Sequence, residues 1–424
     1  MRAAVVAARN DLPAACRPIV DAAFLNDPYP AYRELREAGP IHWSEEFFGG
    51  AWLLTRHEDV ESVLRDPLYS ARRTGGWVMR GSEGARQELC PFQRLFSRAM
   101  LFLDAPDHTR LRQVLNAGFR PATLRASAAA IERMVAGLID KLDGVAEFDF
   151  MEELARPLPA RVIARLLDME GVEQQDFLAW SEDLAAFIGA PAPDSGLKRR
   201  AQSSLLKMCA AFENLLARRR AQAADLPDSA GDDLIAHLLH AEASGKVESE
   251  AEMLAQCAML LFAGHETTRN LLGNGLQALL SHPEQWRQLR QAPDLLPNAL
   301  RELLRYESPV QYTGRRVTKD LVLHGCRLRR GELVVPLIGA ANRDPARYRD
   351  PDRLDITRQE GSHLSFGHGP HVCVGAALTL LEAEITFRAL LARWPELELV
   401  DAEPQWNGNP VYRGLACLQV HRSG

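Results

Sequence analysis

The densest chemistry in this 424-residue chain lies in the segment FGHGPHVCVG, Phe366 to Gly375. Cys373 is framed there by three glycines, Pro370, His368 and His371. Glycine reaches backbone conformations closed to other residues and lets a flat partner approach closely, while proline stiffens a turn. A helix starting just after Cys373 would aim its N-terminal N–H groups and partial positive charge at the sulfur, favouring the thiolate. A thiolate held in this way suits a metal ligand, although an ordinary buried cysteine beside a turn fits the same residues. A phosphate loop does not fit. After Gly367 and Gly369 the next glycine position of G-x-G-x-x-G holds Val372, and there is no Walker lysine.

Three further constellations carry charge or hydroxyls at helical spacing. In LLFAGHETTRNLL, Arg269 stands where the H-E-x-x-H zinc helix needs its second histidine, so that reading fails. The adjacent Thr267 and Thr268 remain, whose hydroxyls can bond back to the backbone and locally deform a helix. In DAPDHTRLRQVL, His108 and Arg112 are four apart and can reach one carboxylate together. In LRELLRYESP, Glu302 and Arg305 are three apart, where an ion pair is easy. Taken alone, each of the three also fits an unremarkable helix.

The elements that must position these residues read as mainly helical. Asp27 to Pro67 mixes a helix (YPAYRELREAG), strand-like IHW and AWLLTR, and a second helix (HEDVESVLRDP). Residues 68 to about 101 read as a long irregular loop containing Gly75, Gly76, Gly81 and Gly84. From about 106 to 300 the pattern is almost wholly helical, broken by PAPDSG and LPDSAGDD. β-like runs return after Pro309, and a last helix should run from just after Cys373 towards Trp394. We therefore expect one mostly helical domain over residues 27–424 with a smaller β portion, behind an N-terminal extension, residues 1–26.

Composition narrows the function classes. Lys plus Arg number 50 and Asp plus Glu 56, a formal charge of −6 with both signs distributed, so nothing points to nucleic acid. The seven cysteines are dispersed and lack a C-x-x-C pair, against a disulfide framework or a structural zinc site. Arg9, Asn10 and Asp11 break the N-terminal apolar run, and no stretch approaches the roughly 20 apolar residues that span a bilayer. The expectation is a cytoplasmic protein without a membrane anchor.

On these motifs the chain resembles the haem-thiolate monooxygenases, the cytochrome P-450 family. Phe366, Gly367, Gly369, His371, Cys373 and Gly375 match its haem-binding signature position by position, and the similarity continues through AALTLLEAE. The resemblance implies a single haem-containing domain of that fold, with Cys373 as axial thiolate of the iron of haem b, Phe366 near the sulfur and His371 at a propionate. It assigns His108, Arg112 and Arg315 to the propionates as well, with Arg316 the competing choice to Arg315. It makes Glu302 and Arg305 a structural triad with Arg353 from the later loop DPDRLDI, where Leu354 replaces a frequent phenylalanine.

The segment Ala263, Gly264, His265, Glu266, Thr267 resembles the family's A-G-x-[DE]-T motif. By that resemblance Ala263 and Gly264 leave room for O2, Thr267 holds a hydrogen-bonded water, Glu266 connects the site to solvent protons, and His265 points away. The implied reaction inserts one oxygen atom from O2 into a lipophilic small molecule, by hydroxylation or epoxidation, with natural-product biosynthesis as the leading setting. Electrons would come ultimately from NAD(P)H through a separate ferredoxin or flavodoxin and its reductase. The rival readings are a peroxide-driven peroxygenase and a non-catalytic haem-binding sensor, neither of which needs the Glu266 and Thr267 pair.

For the substrate pocket we expect Met259, Phe262 and Ala263 on the central helix, Trp77 in the irregular loop, Val310, Gln311 and Tyr312 after the E-x-x-R helix, and Pro410, Val411 and Tyr412 in the C-terminal turn. One of Arg72, Arg73, Arg80 and Arg86 would bind an acidic group on an acidic or carrier-tethered substrate; exposure of all four is the plainer reading.

Overall fold

The computed structural model describes residues 19–73, 94–169, 172, 174–190, 193–225, 233–401 and 403–422. Trp77, Arg80 and Arg86 lie outside them. The packed body begins ahead of Asp27, contrary to the expected boundary. The backbone N–H of Ile19 donates to Glu46 at 2.8 Å. Phe24, in the short helix α1 (Ala22–Asn26), is buried in the main core.

The first β layer forms as the alternating sequence suggested. After α2 (Tyr29–Ala38), strand β1 (Ile41–Ser44) pairs antiparallel with β2 (Ala51–Leu54). Helix α3 (His57–Arg65) and the short β3 (Tyr69–Ser70) follow. A helical run comes next: α4 (Asp107–Gly118), α5 (Pro121–Asp140), then after the small strand β4 (Glu147–Asp149) α6 (Pro157–Leu166), α7 (Gln174–Gly189), α8 (Ser195–Asp225) and α9 (Leu234–Ala243). Strand β4 was hidden inside this helical stretch because its pairing partner lies some 270 residues away, with Phe148 opposite Val420.

Helix α10 (Glu250–Leu280) crosses the middle of the molecule. Most of its residues are buried, on several faces, as befits a helix running through the core. Ser249 caps it, accepting the Glu252 N–H. The buried run is relieved at Ala263, Gly264 and Thr267 on one face and at Arg269 on another. Its leucines, Leu271, Leu272, Leu276 and Leu279, pack in one core cluster with Leu300 and Leu303 and with Phe387. Truncating one such leucine to alanine costs about 2–5 kcal/mol.

Helices α11 (Pro283–Gln291) and α12 (Leu296–Tyr306) lead to β5 (Arg315–Val317), the hairpin β6 (Leu321–Leu323) and β7 (Cys326–Leu328), and β8 (Leu333–Pro336). Strand β8 pairs parallel with β2 and antiparallel with β5, giving one sheet of order β1-β2-β8-β5-β3. After α13 (Ile338–Ala341) and the cysteine loop, α14 (Ala376–Arg393) ends at Trp394, as expected. The C-terminal strands β9 (Leu397–Leu399), β10 (Gln405–Trp406), β11 (Leu415–Cys417) and β12 (Gln419–Arg422) close the fold.

Candidate active site

The cysteine loop is rigid because its backbone hydrogen bonds are internal. The N–H of Cys373 donates to the Phe366 carbonyl at 2.8 Å, and those of Gly367 and Val372 donate to Leu364 and Gly369. Gly369 has φ +71°, and a side chain there would meet the Arg65 backbone of α3 at 2.9 Å. Glycine is therefore required for this loop to lie against α3. Burial pushes the Cys373 thiol pKa up, while the N–H groups of Gly375 and Ala376 and the Arg112 guanidinium pull it down. The sulfur faces a cavity of about 290 Å³. Such donors favour a thiolate once a cation is bound to the sulfur.

The same cavity reaches α10 at Ala263, Gly264 and Thr267. Both threonine hydroxyls bond back to the helix, Thr267 to the Ala263 carbonyl at 3.1 Å and Thr268 to that of Gly264 at 3.4 Å. The helix nevertheless continues unbroken. Gly264 has a further reason to be small, since a Cβ there would press on Ile163 of α6 at 3.0 Å. His265 turns away, its ring nitrogens near Ser181 Oγ and the Arg156 carbonyl, and burial lowers its pKa to about 3.

Glu266 projects to another side of α10, into a second cavity of about 670 Å³ shared with Glu182 and Arg156. Its carboxylate accepts from Arg269 at 3.2 Å and Asn270 at 3.5 Å. Arg269 lies 3.6 Å from Glu182, which pairs in turn with Arg156 at 2.8 Å. Burial holds the Glu266 carboxyl above the usual range, opposed by Arg269. The acid and the alcohol thus face two different spaces across one helix.

One edge of the first cavity is cationic. His108 and His371 lie with ring centroids 4.0 Å apart. Arg112 donates to the Val372 carbonyl, and Arg315 to that of Gly314 at 2.9 Å. Burial lowers the Arg315 pKa to about 9. His371 is held to about 2 by burial and the cations around it. The Nε2 of His108 is buried without a hydrogen-bond partner among the described residues. Of the two competing arginines, Arg315 is buried, whereas Arg316 is partly exposed and donates to the Gly331 carbonyl at 2.7 Å. Buried guanidinium groups without carboxylates require an anion.

The ion-pair assembly departs from expectation. Glu302 and Arg305 form a buried bidentate pair at 2.7 and 2.8 Å. Arg353 contributes only its backbone carbonyl to Arg305, at 3.2 Å, and is exposed. The third guanidinium is that of Arg358, 3.2 Å from Glu302. The chain turns at 351–355, carrying Arg353 outward and Arg358 back under α12. Arg305 also grips the Asn342 carbonyl at 2.9 Å, and the Asn342 side chain accepts from Leu364 N–H and donates to Ser365. This continuous network fixes the residues immediately before the cysteine loop.

Of the expected pocket residues, Met259, Phe262, Ala263, Val310 and Val411 line the cavity, and Phe366 and Gly367 join them beside Cys373. Gln311 does not. Residues 310–312 are extended, with bridges from Val310 to Tyr412 and from Tyr312 to Leu337, so alternate side chains face opposite ways. Gln311 instead accepts from Tyr32 at 3.0 Å and donates to the Ser308 carbonyl at 2.8 Å. Tyr312 and Tyr412 of the same two segments also line the Cys373 cavity, Pro410 faces the second cavity, and sequence reasoning missed Ile163 and Met100 as walls. Arg72 is exposed and pairs with Asp107 at 3.1 Å, but its neighbour Arg73 points into the cavity, against the reading that all four loop arginines are solvated.

Among known proteins, the family model for cytochrome P-450 matches residues 91–407. Cytochrome P-450 107B1 of Saccharopolyspora erythraea is 39% identical over 406 residues, which span 94% of this chain and 96% of that protein. The cytochrome P-450 monooxygenase PikC of Streptomyces venezuelae is 36% identical over 407 residues, spanning 94% and 91% of the two chains. The crystal structure of P450BioI in complex with hexadec-9Z-enoic acid ligated acyl carrier protein is similar with a TM-score of 0.86 at 34% identity. It covers 95% of this chain and 100% of that one.

Proposed function

The chain belongs to the cytochrome P-450 family, and on that premise we propose that the Cys373 cavity holds haem b and oxidises a lipophilic small molecule of natural-product type. The chain is a haem-thiolate monooxygenase, using O2 and electrons drawn ultimately from NAD(P)H. The observation that carries the site assignment is the meeting, in one cavity, of a thiol open to that cavity and flanked by helix N–H groups with a cationic edge whose guanidiniums form no ion pair with a described carboxylate. That donor set fits a flat iron porphyrin with two propionates: Cys373 would ligate the iron, and His108, Arg112, Arg315 and His371 would hold the propionates.

Bound haem supplies activation of O2 and the oxidising power. The protein residues act around it. Thr267 would offer a hydroxyl to a water in the cavity, and Ala263 and Gly264 keep that wall low. Glu266, whose burial favours proton uptake against the pull of Arg269, would pass protons from the second cavity across α10. Met259, Phe262, Val310 and Val411 exclude water and orient an apolar substrate. The acyl-carrier complex of P450BioI supports carrier-tethered substrates as one form of delivery. A ferredoxin or flavodoxin with its reductase would be the electron donor, and the cytoplasm the setting. No helix of the described residues is long and apolar enough to cross a membrane.

The test is a ferric spin-state titration of the holoprotein with terpenoids, macrolides, peptides and lipophilic acids, followed by turnover with a surrogate reductase system. A ligand that raises the spin state should also be oxygenated, and Thr267→Ala should divert most NAD(P)H consumption to peroxide. Unchanged coupling in Thr267→Ala would contradict the monooxygenase assignment of that residue and favour peroxide-driven chemistry.

A further inference from the structure

The cationic edge holds one guanidinium more than two propionates require. Arg112 and Arg315 already supply two positive charges, with His108 and His371 as neutral donors beside them. Arg73 is the third. Its side chain is enclosed by protein, and what surface it retains faces the Cys373 cavity. It donates to the Gly314 carbonyl at 3.3 Å, the same oxygen that Arg315 uses. The guanidinium carbon sits 4.8 Å from the centre of the Phe102 ring. Arg73 forms no ion pair with any described carboxylate. Asp104, the carboxylate that acts on Arg315, is engaged by Ser70 Oγ at 2.5 Å, the Ala71 N–H at 2.8 Å and the neighbouring Arg72.

Arg73 stands within electrostatic reach of Arg315 and His371, and it also reaches a wall of the apolar chamber. Arg112 is tied to the cysteine loop through Val372, and Arg315 is on β5. Arg73 alone of these three guanidiniums is also within electrostatic reach of Tyr412, whose ring packs edge-on against Phe262 at 5.6 Å. Tyr412 and Phe262 are walls of the apolar chamber alongside α10. Burial lowers the Arg73 pKa to about 10, which still leaves the group charged at neutral pH. A charged, enclosed guanidinium facing an apolar space is expensive unless an anion reaches it. A carboxylate matches its planar fork with two parallel N–H···O bonds.

We propose that Arg73 is a specificity-determining residue that binds the carboxylate of a lipophilic acid substrate, anchoring its polar end while the apolar chain extends along Phe262 and Tyr412. This rests on the haem-thiolate reading of the cavity and narrows its substrate class to anions. The probes are dodecanoate and dodecan-1-ol, equal in length and different in charge, titrated into the ferric holoprotein with the spin-state change as readout. Wild type should bind the acid more tightly than the alcohol. Arg73→Met should weaken dodecanoate by about 10- to 100-fold, the loss expected for a hydrogen-bonded charge pair, and change dodecan-1-ol by no more than about twofold. Arg73→Lys, which keeps the charge, should recover part of the acid affinity. Haem content should remain at the wild-type level in both variants.

A wild type with no preference for the acid would overturn the proposal. So would equal weakening of acid and alcohol, or loss of haem in Arg73→Lys, because either assigns Arg73 to the propionates or to packing. Failure of the underlying reading looks different: wild-type protein would then lack a haem-thiolate spectrum altogether.

Discussion

Replacing Arg358 with Met, beside Arg353 with Met, separates the ion-pair assembly seen in the structure from the one suggested by sequence motif. Arg358 reaches the Glu302 carboxylate at 3.2 Å and Glu360 at 2.8 Å, and donates to the carbonyls of Arg349, Asp350 and Arg353. Its side chain is 7% exposed and that of Glu302 is 3% exposed, so water replaces little of what is lost. Glu302 keeps Arg305 and the Asp355 N–H at 3.0 Å, which limits the damage to less than a fully stranded charge. Hydrogen bonds to charged groups contribute about 1.5–3 kcal/mol each, with weaker returns for those near solvent, and a total loss of about 2–4 kcal/mol follows. At about 2.1 cal/mol/K per residue over 424 residues, the unfolding entropy is about 0.9 kcal/mol/K, so the apparent Tm of the holoprotein should fall by about 2–4 °C. Arg353→Met, at an exposed side chain, should stay within about 0.5 kcal/mol. Thermal melts followed by far-ultraviolet circular dichroism and by haem absorbance measure both variants. A larger drop for Arg353→Met than for Arg358→Met would refute the reasoning.

Two other outcomes follow from side-chain placement. Because burial raises the Glu266 pKa, wild-type turnover should fall as pH rises through that value and the proton is lost, and Glu266→Gln should lower the rate by about 100-fold and abolish that limb; a variant whose pH profile keeps its shape argues against proton transfer through Glu266. Gln311→Leu should cost about 1–3 kcal/mol in stability, measured by denaturant unfolding, by leaving Tyr32 and the Ser308 carbonyl without their partner, yet leave ligand affinity unchanged. Val310→Phe, one residue earlier, should do the reverse and exclude bulky ligands; the opposite pairing of effects would contradict the alternation of side chains along 310–312.

Much of the architecture was legible because it is encoded locally. The helix-period stretches and the strand alternation of IHW and AWLL required no tertiary knowledge, and FGHGPHVCVG carried its own turn chemistry. What was hidden depended on partners distant in sequence. Strand β4 is defined by its pairing with β12, and the N-terminal residues from Ile19 by their seat against Glu46. Arg358 escaped notice because the turn at 351–355 decides which arginine returns to Glu302. Gln311 was misplaced because two β-bridges, not helical spacing, set its direction. The burial of Arg73 had no sequence signal beyond two adjacent arginines, since only the folded cavity distinguishes it from the exposed Arg72.

The central claim is that Cys373 gives its thiolate to haem iron. The most direct measurement is the ferrous carbon monoxide difference spectrum of the haem-loaded protein, compared with that of Cys373→Ser. Wild type should show the red-shifted Soret band of thiolate-ligated haem, and Cys373→Ser should lose it while keeping a folded helical spectrum. Persistence of the red-shifted band in Cys373→Ser, or its absence from wild type that has bound haem, would contradict the account.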